Sequence, residues 1–290
     1  WGVGVDTEVD QVYYTPPRVH RLRIRVYDSA FDRGNKRIVL NAIQRLHGSV
    51  RNLGQVLRAL RPHHRAISRL LATADPNKRF VQLKQTGAEA ELRWNQFWDA
   101  IEQYRALVDD IDFWASGYLS TFRGVLSPRE RLALPGEAAS RVYWGSDATP
   151  LGLAVIDYQA QEVGLVLWTP LLDSMFAQAL IESGEPEVDL PDAIISIKEL
   201  AAPIIGLSVW GDRYPDKLVI CPVDNQTACR WIVKREADNF MAEALLRVLC
   251  RHEVRHHSEL YAPYIHTTRN TLPDVGSGRF APEAESAADL

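Results

Sequence analysis

Four carboxylates in the second half of the chain stand where a divalent-metal site could be assembled. Asp147 closes a strand-like run (RVYWGSDA), and Glu199 sits inside an apolar helix-like stretch (ISIKELAAP). Asp224 closes a hydrophobic run (LVICPVDNQTA), and Asp274 follows the last strand-like segment (RNTLPD). An acid at a strand end is ordinarily a turn or helix-capping residue. Glu199 resists that explanation, because a carboxylate among Ile, Leu and Ala must find solvent or a partner. Hard oxygen ligands from separated positions suit magnesium, and two such ions about 3.5–4 Å apart serve phosphodiester hydrolysis by activating water and stabilising the leaving oxygen. Carboxylates packed that closely repel one another unless a cation neutralises them.

Other constellations are weaker. His252-Glu253-Val254-Arg255-His256 matches H-E-x-x-H, two histidines one helical turn apart with a glutamate base between them, the pattern of zinc peptidases. Arg251, Arg255 and His257 crowd that turn, and the plainer reading is a basic helix end complementing the helix dipole. Val108-Asp109-Asp110 follows a helix-like segment and reads as a helix-end acid cluster rather than a polymerase motif. Trp94, Trp98 and Trp114 could stack on bases, but beside Leu92 and Phe97 at helical spacing the first two read as core. Arg51, Arg58, Arg61, Arg65 and Arg69 recur at helical spacing and form a basic stripe, either a phosphate tracker or a solvated helix face.

These residues must be carried by elements that composition bounds. The chain has 290 residues, 46% hydrophobic and 24% charged, enough to bury a core and too apolar for a disordered chain. No run approaches ~18 uninterrupted apolar residues, and no basic start precedes an apolar run, so neither a membrane span nor a signal peptide is expected. Three cysteines, widely spaced, point to a reducing intracellular compartment, cytoplasm or nucleus. The start at Trp1 rather than Met leads us to expect an excised piece. Net charge is −4, but residues 1–80 hold 15 Lys/Arg against 6 Asp/Glu, a surplus suited to a polyanion, while the remainder is acidic.

Along the chain, residues 1–27 predict short extended segments, including RLRIRVYD, whose basic–apolar alternation reads as a strand. Residues 36–73 predict helices, with Pro62 opening a new one, and 86–107 a further helix. From about 140 the pattern becomes mixed α/β. RVYWGSDA, LGLAVIDYQ and EVGLVLW predict an antiparallel meander, IISIKELAAPIIGLSVW a buried helix, and KLVICPVD a buried central strand. NQTACRWIVKRE and FMAEALLRVLCRHEVRHH predict helices, LYAPYIHTTRNTLPD a strand and then a turn or helix start, and GRFAPEAESAADL a polar, disordered tail.

The order of the four acids resembles the ribonuclease H family. Its Asp-Ala-Ser-type strand end appears as Asp147-Ala148-Thr149 with Gly152, and its Glu-Leu-Leu-Ala motif as Glu199-Leu200-Ala201-Ala202. Its Asp-Asn-x-x-Ala motif appears as Asp224-Asn225-Gln226-Thr227-Ala228, and its terminal Asn-x-x-Ala-Asp as Asn270-Thr271-Leu272-Pro273-Asp274 with proline for alanine. The match spans roughly residues 140–275. Upstream, WGVGVDTEVDQVYYTPPRVHRLR, LHGSVRNLGQVLRALRPHHRAISRLL and EAELRWNQFWDAI resemble the palm exit, thumb or connection, and pre-nuclease segments of reverse transcriptases of DIRS-type retroelements.

The resemblance implies an α/β fold, a ribonuclease H-like mixed sheet flanked by helices and preceded by a mainly helical thumb or connection region. Its divisions are a palm-like end at 1–27, a helical region at 28–136, a nuclease domain at 137–278 and a tail at 279–290. It implies two Mg²⁺ ions (or Mn²⁺), with Asp147 bridging both, Glu199 and Asp224 on one and Asp274 on the other. Asn225 and Asn270 would orient ligands or touch the RNA ribose. The partners would be an RNA–DNA hybrid, read by shape and 2′-hydroxyls, and an upstream polymerase domain of the same polyprotein, with no membrane and no small organic cofactor. One departure is that the family's loop histidine, six residues before the terminal Asn, is Tyr264 here, with His266 nearby. The rival readings are a nucleic-acid-binding scaffold with the same fold and no catalysis, and the zinc peptidase.

Overall fold

The computed structural model describes residues 3–6, 11–28, 31, 37–56, 58–83, 86–109, 120–121, 140–182, 190–237, 239–256 and 258–279. The chain divides into two units, Trp1–Ser127 and Pro128–Leu290.

In the first unit, β1 (Val3–Asp6) and β2 (Gln11–Tyr14) pair antiparallel, and the two-residue β3 (Ser120–Thr121) pairs with the other edge of β2. The segment RLRIRVYD is not a strand. It belongs to α1 (Pro16–Val26), which opens on two prolines at its first positions. Proline there is pre-set for helical φ, and its missing N–H is one the first turn leaves unpaired anyway. The alternation was ambiguous: a strand would align Leu22, Ile24 and Val26, whereas the helix buries Leu22 and Val26, four apart, and leaves Ile24 57% exposed. The expected helical region holds α2 (Leu40–Val56), a 3₁₀ turn (Arg58–His63), α3 (Arg65–Thr73) and α4 (Gly87–Asp109). Pro62 lies within the 3₁₀ turn, and the next α-helix begins three residues later. Trp94 and Trp98 are buried, stacked on each other with Phe97 against both, so they are core. Asp109 is a helix-end acid that binds Arg23 and the Tyr27 hydroxyl. Asp110 and Trp114 lie outside the described residues.

The second unit is mixed α/β, a five-stranded mixed sheet flanked by helices. The expected meander forms from its short apolar runs: β4 (Arg141–Ala148), β5 (Gly152–Asp157) and β6 (Glu162–Leu167), antiparallel in sequence. Helix α5 (Pro170–Glu182), which the sequence reading did not anticipate, follows. Then come α6 (Leu190–Trp210), β7 (Leu218–Ile220), α7 (Gln226–Lys234), α8 (Phe240–His256), β8 (Glu259–Tyr261) and α9 (Thr271–Gly278). Strand order is β6-β5-β4-β7-β8, with β4, β7 and β8 parallel. Helix α9 forms where a turn or helix start was expected and takes in Gly278, the first residue of the segment read as tail; residues 280–290 lie outside the described residues. Helix α6 is long and apolar enough to cross a membrane, but 72% of that window is buried, as in a core helix. Cys221, Cys229 and Cys250 are buried, and none of them forms a disulfide.

Two glycines set the spacing of the layers. Neighbouring residues of a strand face opposite sides of a sheet. A Cβ on Gly206 of α6 would lie 2.7 Å from Val155, and one on Gly276 of α9 would lie 2.9 Å from Ala154. The two helices therefore press on opposite faces of β5 at these points. The Gly206 contact also includes the buried Trp144 ring at 3.2 Å, and neither Val155 nor Trp144 has room to yield. Gly206→Ala is expected to destabilise the protein by about 1–2 kcal/mol in urea unfolding, overpacking outweighing alanine's better helix propensity. An unchanged midpoint would contradict this packing.

Candidate metal centre

Parallel pairing explains why distant acids meet. In β4 and β7, Arg141 pairs with Leu218 and Tyr143 with Ile220. Continuing that register along both chains brings Asp147 level with Asp224, at the carboxyl ends of two parallel strands. Such ends are where open α/β sheets present ligand sites. Glu199 reaches the same place from α6; it lies seven residues, about two turns, before Gly206 and so shares the sheet-facing side of that helix. Asp274 arrives in the first turn of α9.

One ligand atom each from Asp147, Glu199 and Asp224 lie within 4.8 Å of one another. All four acids line a single cleft of about 450 Å³, together with Ala148, Asn225 and Thr267. Asp147 is 7% exposed and Glu199 3% exposed. Glu199 accepts the Ala148 backbone N–H through Oε1 at 3.1 Å, whereas Oε2 is buried without a hydrogen-bond partner. Asp274 Oδ1 is likewise buried and unpartnered. Buried, unsatisfied carboxylate oxygens aimed into one cleft fit a hard cation that would supply what the protein does not.

Electrostatics agrees. Burial, then the negative charges of Asp147 and Asp224, pushes Glu199 up to about 9. Burial raises Asp147 to about 6, assisted by Asp274 and Asp224 and opposed by the Ser277 hydroxyl. Asp274 is also raised, by burial first and then by Asp224. Without a cation, Glu199 keeps its proton at neutral pH.

Neighbours fix the carboxylates. Asn270 donates through Nδ2 to Ser146 O at 3.1 Å and to Asp147 Oδ1 at 3.2 Å, while the Ser277 hydroxyl bonds Asp147 Oδ2. Thr267 Oγ1 donates to Asp224 Oδ2 at 2.8 Å. The Asn225 side chain caps α7, accepting Ala228 N–H at 2.9 Å and donating to Ser196 Oγ at 3.2 Å. Sequence reasoning missed Ser277 and Thr267. Ser277 had a signal, since it follows Asp274 by three residues and so faces the same side of a helix; Thr267 had none. Lys198, beside Glu199, was also passed over. Only 2% exposed, it ties the β4–β5 turn to α6 and α5 by donating to Pro150 O at 2.6 Å and pairing with Asp173 at 2.9 Å.

The remaining positions are distributed differently. Tyr264 is 48% exposed, and the His266 side chain caps the 3₁₀ turn Thr267–Arg269. Arg51, Arg58, Arg61, Arg65 and Arg69 all lie in the first unit. Arg51 is exposed on α2; the other four are half-buried, and Arg61 Nε donates to Gly54 O at 2.9 Å. The H-E-x-x-H reading fails on its glutamate. Glu253 is buried and bound by Arg235 through both carboxylate oxygens, so it is not available as a base. His252 bonds Ser208 Oγ at 3.0 Å and His256 pairs with Asp212 at 3.1 Å.

No family model matches this sequence, and no curated protein does. Among solved structures, the foamy viral protease-reverse transcriptase in complex with double-stranded DNA matches at a TM-score of 0.26 and 11% identity. That match covers 92% of this chain, which spans 37% of the viral protein's chain. A superposition this loose carries no argument about the fold or the site.

Proposed function

We propose that the Pro128–Leu290 unit is a ribonuclease H-like nuclease that hydrolyses the RNA strand of RNA–DNA hybrids. It would act inside the cell, in cytoplasm or nucleus, as part of a retroelement reverse transcriptase whose polymerase aspartates lie in an upstream domain of the same polyprotein. One observation carries the reading: carboxylates from β4, α6, the end of β7 and α9 converge on one cleft, with a buried oxygen of Glu199 left without a partner. Asp147, Glu199, Asp224 and Asp274 would hold two Mg²⁺ ions, for which Mn²⁺ can substitute. Bound there, the ions supply an activated water and a stabilised leaving oxygen. The protein's own part is placement. Asn270 and Ser277 fix both oxygens of Asp147, Thr267 orients Asp224, and the Ala148 N–H aims Glu199. Asn225 borders the cleft where a ribose would lie, whereas Asn270, buried behind Asp147, would act by orienting that ligand, and the arginine stripe from Arg51 to Arg69 would follow the hybrid's phosphates.

The test is cleavage of an end-labelled RNA–DNA hybrid by the full chain. Internal cuts in the RNA strand are expected with Mg²⁺ or Mn²⁺ and none with a chelator. Asp224→Asn should lower the rate by at least about 100-fold. Cleavage that persists unchanged in Asp224→Asn refutes the site. A wild-type chain that binds hybrids and never cuts them is instead the catalytically silent scaffold.

A further inference from the structure

A cleft of about 300 Å³ in the first unit lies between α1 and α2, and four arginines face it. Arg18, Arg21 and Arg25 recur at i, i+3 and i+7 on α1; Arg45, Ser49 and Asn52 recur at i, i+4 and i+7 on α2. Both rows are single helix faces, so the convergence is built into the spacing. Among the described residues, no Asp or Glu lines the cleft. The nearby carboxylate of Asp109 is bound to Arg23 and Tyr27 instead.

Two of the arginines, Arg25 and Arg45, are oriented by neutral groups. The Arg25 guanidinium donates to Ser49 Oγ and to the Arg45 carbonyl at 3.5 Å, and Arg45 Nε donates to Asn41 Oδ1 at 2.9 Å. Neutral acceptors fix the forks without cancelling their charge. Four like charges around so small a space leave it strongly electropositive, and guanidinium forks match phosphate oxygens in pairs. Among the described residues lining the cleft, the only apolar side chains are Leu22 and Leu53, and no aromatic ring offers a base a stacking surface.

We propose that this cleft binds a compact oligophosphate, gripped by its phosphate groups alone. A nucleic-acid strand delivers one charge per nucleotide and is followed by an extended groove. A bounded cleft with four arginines suits a ligand that packs several charges into a small volume. The proposal is independent of the metal centre.

The experiment is calorimetric titration of the full chain with inorganic triphosphate, with a chelator present. One saturable site is expected. The double variant Arg21→Glu/Arg45→Glu should weaken it by at least about 30-fold with an unchanged circular dichroism spectrum, since both side chains are exposed. Asp224→Asn should bind as the wild type does. The absence of saturable binding, equal affinity in the double variant, or loss in Asp224→Asn would overturn the proposal. So would a single-stranded 12-nucleotide oligomer that competes for the site and binds more tightly than triphosphate, which would make it a strand-binding groove.

Discussion

Replacing Glu199 with Gln should stabilise the metal-free protein at alkaline pH and weaken its divalent-metal binding by at least about 10-fold. The carboxyl is raised from 4.5 to about 9, by burial first and then by its acidic neighbours. Folding therefore favours the protonated form. That contribution is fully present below the unfolded value near 4.5 and is lost as pH rises through about 9. Between those limits the slope from this one group approaches about 1.4 kcal/mol per pH unit. Asp147, raised to about 6, adds a slope of the same sign over a lower range. In chelator, the melting temperature of the wild type should fall steadily from pH 5 to pH 9. Glutamine keeps an oxygen for the Ala148 N–H and cannot ionise, so the variant should lose most of that slope. Excess Mg²⁺ should raise the wild-type melting temperature most at high pH, where the carboxylates are already deprotonated, and raise the variant's far less. A flat wild-type profile in chelator, or the same slope in Glu199→Gln, would mean that Glu199 is not the strained group of the cleft.

How much of this was legible in the sequence follows from what each signal measures. The β4–β6 meander could be read because each strand is a short apolar run bounded by turn residues, and α6 because its apolar run is long. The four acids could be singled out by context, since a glutamate in the middle of an apolar helix needs an explanation. Their convergence was not legible from those segments alone. It depends on parallel β4–β7 pairing, a contact between residues 77 positions apart that no local pattern encodes. The failures have the same origin. RLRIRVYD carries a period of two that a helix starting at Pro16 satisfies equally well, and only burial of Leu22 and Val26 without Ile24 decides between them. Helix α5 was missed because it is apolar around much of its circumference, with Leu171, Met175 and Ile181 exposed, and so shows little periodicity. In H-E-x-x-H the spacing was right, but what occupies Glu253 comes from Arg235, eighteen residues away on another element.

That occupancy leads to the largest stability change. Arg235→Met should cost about 3–5 kcal/mol of unfolding free energy, because it leaves the Glu253 carboxylate buried without its counter-charge. Arg235 is 1% exposed; Nε donates to Glu253 Oε2 at 3.1 Å and Nη2 to both Glu253 Oε1 and the Leu260 carbonyl, the latter at 2.8 Å. Glu253 Oε1 also accepts the Leu260 N–H at 2.8 Å. The pair thus ties the end of α7 to α8 and to β8. Its geometry is held from the backbone as well, because Arg235 caps α7 in the left-handed region at φ 57°, a cost methionine would share. Asp224 and Asn225 stand at the other end of α7, so loosening this anchor should lower metal affinity as well as stability. The double variant Arg235→Met/Glu253→Leu should regain most of the lost stability, since two apolar side chains leave no buried charge behind. Urea unfolding of the three proteins is the measurement. If Arg235→Met unfolds at the wild-type midpoint, Glu253 is not held by this arginine, and the objection to a base in H-E-x-x-H falls with it.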